Sequence, residues 1–259
     1  MVFSSLIFIF LYLFAVIPVY YALPRKFKNT FLFIVSLVFY SYGEPIFIIL
    51  MILSVGMNYA FGLLIEKNKG KKNLKKVLLI TNIIINIGML GFFKYAGFFV
   101  DTIKLIPAFS SLNTPEIPLP IGISFYTFQI MSYTIDVYRN ECKAQRSFIS
   151  LGTYIALFPQ LIAGPIVMYV DIENQLGNRK ESFEKFNKGV KLFMLGLFKK
   201  VMLANALGEM WSALKGGESN GILGAWLGII AFTLQILFDF SGYSDMARGL
   251  GNMLGFEFL

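Results

Sequence analysis

Five stretches of this chain are long, apolar and free of charge, and that pattern narrows its fold more than any other feature. Residues 1–24 hold no charged side chain, and the runs 31–42, 46–65, 77–93 and 222–238 are likewise uncharged. A helix that crosses the bilayer core needs about 20 such residues. Only 15% of the 259 residues are charged, against about 25% in an ordinary soluble domain. With 28 Phe and 13 Tyr besides, one water-surrounded core cannot hide this much apolar surface, so lipid must be part of the solvent. The expected fold is an all-α integral membrane protein, a multi-span helical bundle forming a single membrane domain over 1–259.

The order of charges suggests a topology. The first run is followed, not preceded, by Arg25, Lys26 and Lys28, and it ends in Tyr20 and Tyr21. A cleaved signal peptide has the reverse order, so this run is expected to be a retained span. Between runs three and four, residues 66–76 carry six lysines against Glu66. Lysine-rich loops stay in the cytoplasm. Placing 25–28 and 67–76 there makes runs two and three an out-and-back hairpin, with the N-terminus and 101–120 outside. The rule falters later, because 171–191 mixes four acids with five bases. The uncharged stretch 147–170 is interrupted by Phe158-Pro159-Gln160 and Ala163-Gly164-Pro165. Broken helix at membrane depth survives only against protein or a cavity, so a re-entrant or kinked element is expected there.

Two polar constellations could carry chemistry. Read as a helix, 241–252 puts Ser241, Ser244, Asp245, Arg248 and Asn252 on one face. An ionised group at the bilayer centre costs roughly 2.5–3.5 kcal/mol, so the stripe should face a cavity or a partner helix. An interfacial amphipathic helix with an Asp245–Arg248 pair is the simpler alternative. Gly251 and Gly255 have the spacing of close helix packing. In 118–139, Gln129, Ser132, Tyr133 and Asp136 share a face, as interhelical hydrogen bonding or as one wall of a polar tunnel. Lys94, among aromatic residues, is placed to snorkel to the interface.

Several chemistries are excluded or disfavoured. The chain contains no histidine and one cysteine, Cys142, so it has neither a Ser-His-Asp triad nor an intrachain disulfide. A zinc site is not expected, and no metal or bound cofactor is. Cys142 has only Lys143 beside it, which is poor support for a nucleophilic thiol. The net charge of +8 sits in short lysine runs between apolar stretches, which points away from nucleic acid.

Four stretches, in order, resemble the membrane-bound O-acyltransferase family, on the branch that acetylates alginate. They are Leu90-Gly-Phe-Phe-Lys-Tyr95; Pro120-Ile-Gly-Ile-Ser-Phe-Tyr-Thr-Phe-Gln129 with Asp136-Val-Tyr-Arg139; Phe158-Pro-Gln-Leu-Ile-Ala-Gly-Pro-Ile166; and Phe238-Asp-Phe-Ser-Gly-Tyr-Ser-Asp-Met-Ala247. The resemblance implies a ring of helices around a tunnel in a bacterial-type plasma membrane. It implies acyl transfer from a cytoplasmic donor, acetyl-CoA or another acyl donor, to an extracytoplasmic polysaccharide, with an acetyltransferase partner outside the membrane. The tunnel candidates are then Tyr126, Gln129, Ser132, Asp136, Pro159, Gln160, Gly164, Pro165, Asp239, Ser241, Tyr243, Ser244, Asp245, Arg248 and Asn252. The family's essential histidine would follow Gly255-Phe256. No residue here can inherit that role, and the expectation is an N-terminal portion, incomplete at its C-terminus and inactive alone. D-alanyl transfer to teichoic acid, a non-catalytic scaffold and a transporter are the alternatives.

Overall fold

The computed structural model describes residues 2–106, 109, 111, 113, 117–161, 167–215 and 221–258. Among them the regular structure is helical throughout, with no strand. A π-helical stretch, Ile7–Leu13, runs into α1 (Phe14–Ala22), followed by α2 (Arg25–Ser41), α3 (Ile48–Lys67), α4 (Lys72–Ile103) and α5 (Ile123–Arg139). The later elements are α6 (Phe148–Ala156), α7 (Phe158–Leu161), α8 (Tyr169–Asn178) and α9 (Phe183–Phe198). A second π-helix (Lys199–Ala204) joins α9 to α10 (Asn205–Lys215), and α11 is Gly221–Met253.

Three of these, α3, α4 and α11, are long and apolar enough to cross a membrane. In α4 and α11 only 17% of the most apolar window is buried, as expected where lipid covers the outside. The chain is a helical membrane protein. The trio Arg25, Lys26 and Lys28, expected in a loop, instead forms the first turn of α2. Pro24 stands just before it, where its missing N–H leaves no donor unsatisfied. The last apolar run and the polar stretch after it form one continuous helix, α11.

The chain divides into two compact units, 1–31 with 163–167 and 174–259, and 32–162 with 168–173. In the second unit, α3, α4 and α5 are joined by a fully buried amide network. Asn58 Oδ1 accepts from Asn82 Nδ2 at 2.7 Å and from Asn86 Nδ2 at 3.1 Å. Asn58 Nδ2 donates to Asn86 Oδ1 at 3.2 Å, and Thr134 Oγ1 donates to Asn82 Oδ1 at 2.9 Å. In hydrocarbon, where water cannot compete, such bonds fix which helix faces meet. α5 ends on Asn140, whose φ of 63° is left-handed; Glu141 N–H bonds back to Asp136 O and closes the helix.

In the first unit, α9 and α11 pack antiparallel, backbone against backbone. Gly189 faces Gly249, and Gly196 faces Gly242 seven residues further along. A Cβ at Gly189 would lie 2.6 Å from Gly249 O, and one at Gly242 would lie 2.8 Å from Gly196 O. Only glycine permits that approach. The small-residue spacing of Gly251 and Gly255 serves other ends. Gly251 makes room for the Phe258 ring, and Gly255, with φ 83°, closes α11 through the bond from Phe256 N–H to Gly251 O.

Candidate functional site

The expected break after 147 is real and has a consequence for the site. α6 stops at Ala156, and Leu157 turns out of the helix with ψ 113°. Phe158 N–H would have bonded to Tyr154 O, but it donates to Ser36 Oγ at 3.1 Å. Pro159 brings no N–H of its own. The freed Tyr154 carbonyl accepts from two side chains instead, Gln160 Nε2 at 2.6 Å and Gln129 Nε2 at 3.1 Å. The Tyr154 side chain hydrogen-bonds with Ser132 and Gln129.

Gln129, Ser132 and Gln160 therefore meet at Tyr154, with Pro159 in the turn, while Tyr126 and Asp136 are buried about 15 Å apart along α5; all six lie in the second unit. It holds polar atoms without a partner: Tyr40 Oη, Tyr126 Oη, Thr127 Oγ1, Asp136 Oδ2 and Gln160 Oε1. Leaving a buried polar group unpaired costs about 1–3 kcal/mol. Three of these atoms, on Tyr126, Thr127 and Asp136, belong to α5.

The α11 positions behave differently. Asp245 pairs with Lys199 at 2.5 Å, in place of the Arg248 partner considered above, and Asp239 pairs with Lys200 at 2.7 Å. The π-helix beginning at Lys199 lets two consecutive lysines reach α11. Tyr243 stacks on Phe3 with ring centroids 4.6 Å apart. Ser241, Ser244 and Asn252 are half-buried, while Arg248 is exposed. Gly164 and Pro165 lie outside the described residues. Cys142 is buried, and burial among carboxylates pushes its thiol up to about 12, far from a reactive thiolate at neutral pH.

Sequence reasoning missed a charged knot in the first unit. Arg179, 6% exposed, donates through Nε to Tyr20 Oη at 2.8 Å and through a terminal nitrogen to Asn29 Oδ1 at 2.6 Å. Its guanidinium also lies 4.5 Å from the centroid of the Phe256 ring. Tyr20 Oη lies 2.8 Å from both Glu181 Oε1 and Leu254 O, and Lys28 Nζ is 3.0 Å from Glu181. The run Arg179-Lys180-Glu181 was the available signal, but its tyrosine partner is 159 residues away in sequence. Burial works against ionising Glu181, yet the bonds from Lys28 and Tyr20 outweigh it and hold the carboxyl below its ordinary 4.5. Because the folded value is depressed, the stabilisation is complete above the ordinary value and is lost as pH falls through the depressed one. Glu181→Gln should flatten the acid limb of a stability–pH profile recorded in detergent.

No family model matches the chain, but relatives do. It is 39% identical to the probable alginate O-acetylase of Pseudomonas syringae over 262 residues, covering 100% of this chain and 51% of that protein. The corresponding protein of Pseudomonas aeruginosa is 40% identical over 262 residues, covering 100% of this chain and 50% of the relative. The chain belongs to the membrane-bound O-acyltransferase family. A peptidoglycan O-acetyltransferase of Helicobacter pylori is also similar, at 31% identity over 93% of this chain and 52% of its own length. This acyltransferase-family chain thus spans about half the length of the curated relatives it matches.

Proposed function

We propose that this chain supplies the membrane passage of an O-acetyltransferase, in which an acetyl group moves from a cytoplasmic donor, acetyl-CoA, to a hydroxyl of an extracytoplasmic polysaccharide. The observation that carries this reading is the unpartnered polar group of α5 and α7: Tyr126, Asp136 and Gln160, beside the broken helix. Names of relatives that acetylate alginate and peptidoglycan support the reaction class. The lysine-rich 67–76 segment and the cationic start of α2 favour a cytoplasmic position for both, with the N-terminus on the outer side. An acetyltransferase partner on the outer side would complete the assembly.

Transfer breaks the donor's C–S bond, forms a C–O bond, and releases the acceptor hydroxyl's proton, which goes to the departing thiolate or to a base. A base near neutrality is ordinarily an imidazole. This chain has none, so its own residues position reactants and do not take that proton. The passage is tested with a photoreactive acetyl-CoA analogue applied to the chain in lipid nanodiscs. Label should map to α5–α7, be displaced by acetyl-CoA, and fall about tenfold in Gln129→Leu, from the loss of polar partners. Label spread along the lipid-facing helices and indifferent to acetyl-CoA would refute the proposal.

A further inference from the structure

Sequence spacing did not single out Tyr40, yet it joins Tyr126 as a second buried phenol at one end of the second unit. Tyr40 stands in the last turn of α2 and is 3% exposed; Tyr126 stands in the first turn of α5 and is 0% exposed. The two helix ends are packed together. Tyr40 O closes α2 by accepting from Gly43 N–H at 3.1 Å and from Glu44 N–H at 3.0 Å. The resulting turn lies against the approach to α5, where a Cβ at Gly43 would stand 3.7 Å from Ile121 Cδ1. One turn back on α2, Ser36 Oγ accepts from Phe158 N–H, and the Phe39 and Phe158 rings are 5.8 Å apart. The broken helix is thus held against the same end of α2.

Among the described residues, neither Tyr40 Oη nor Tyr126 Oη has a hydrogen-bond partner. The two phenols are close enough for a charge on one to be felt by the other. A buried hydroxyl left unpaired is costly, and phenylalanine would fill the same space without that cost. Two such hydroxyls near one another therefore need a reason beyond packing. Each is an uncharged donor, and neither is bonded to a carboxylate or a cation. A phosphate or a free carboxylate would call for a cation beside it. Neutral donors in a site closed to water suit a carbonyl oxygen that gains negative charge as it reacts.

We infer that Tyr40 and Tyr126 donate to the carbonyl oxygen of the acyl donor, an inference that rests on the acetyl-transfer reading. As the acceptor oxygen bonds to the carbonyl carbon, an electron pair moves onto the carbonyl oxygen, where the phenols stabilise it. The pair returns when the C–S bond breaks and the thiolate leaves. The placement agrees with the direction of transfer. Lys75 Nζ donates to Asn140 Oδ1 at 3.2 Å, so the C-terminal end of α5 sits at the lysine-rich segment. Tyr126 is about 20 Å from that end along the helix. In the proposed topology this is toward the outer side, where the polysaccharide arrives.

The test adds a second competitor to the photolabelling of the chain in nanodiscs: S-ethyl-CoA, a thioether with a methylene in place of the carbonyl. Acetyl-CoA should displace the label at about tenfold lower concentration than S-ethyl-CoA, because only it offers the oxygen. Tyr40→Phe and Tyr126→Phe should each weaken acetyl-CoA about fivefold and leave S-ethyl-CoA as it was. Since the hydroxyls removed are unpaired, both variants should melt at or above the temperature of the unsubstituted chain. A pair that only holds the fold would do the reverse, with lower melting and both competitors weakened alike, and that result would overturn the inference. Equal displacement by the two competitors in the unsubstituted chain would also overturn it, while leaving the passage reading intact. Failure of acetyl-CoA to compete at all would overturn both, so the two failures are distinguishable.

Discussion

Replacing Arg179 with methionine should destabilise the chain by about 3–5 kcal/mol, the cost of breaking a buried charged network from one side. Tyr20 Oη and Asn29 Oδ1 would lose this donor, and Glu181 would lose the guanidinium 3.9 Å away, relying on Lys28, Tyr20 and a backbone N–H to offset its desolvation. Arg179→Lys should recover little, because one ammonium cannot span the two directions that the guanidinium serves while lying against Phe256. Adding Glu181→Gln to Arg179→Met should add to the loss, because it takes from Lys28 the carboxylate it pairs with. Thermal unfolding in detergent would read this as a fall on the order of 10 °C. A change of only a degree or two in the single variant would mean the knot is surface decoration.

Gly196→Val should have an effect of similar size by a different route. A Cβ at Gly196 overlaps the carbonyl oxygen of Gly242, and the next neighbour is Met246 N at 2.7 Å. Both are backbone atoms, so no rotamer change relieves the clash. The helices must separate, at a cost of about 3 kcal/mol or more. Separation would also stretch the Lys199–Asp245 pair. Gly88→Ala is the control. Nothing lies within 4 Å of a Cβ there, and alanine in the helix should gain about 0.5–1 kcal/mol. Equal midpoints for the two variants would contradict the backbone packing of α9 on α11.

The apolar runs announced α3, α4 and α11 because a spanning helix must be apolar over most of its length, and that condition is written locally. The stretch 183–215 escaped notice for the converse reason. Lys191, Lys199 and Lys200 break its apolar run, and their justification, Asp239 and Asp245 for the last two, lies on another helix. The helical face of Gln129, Ser132 and Asp136 was visible from spacing. The Tyr154 carbonyl that organises it was not, since a backbone atom becomes available only once Phe158 has turned to Ser36. The buried asparagines were legible only as isolated polar residues in apolar runs. Their meeting at Asn58 depends on how three helices pack.

A chimera decides whether this chain is the passage of an acetyl-transfer protein. The matching 262-residue region of the Pseudomonas aeruginosa relative, 40% identical, is replaced by this chain, and acetyl esters on secreted alginate are measured. Acetylated polymer is expected, and little or none when Asp136→Leu or Gln129→Leu is introduced into a chimera that still reaches the membrane. A chimera that inserts and folds yet leaves the polymer bare, or one that acetylates equally well without those two side chains, would contradict it.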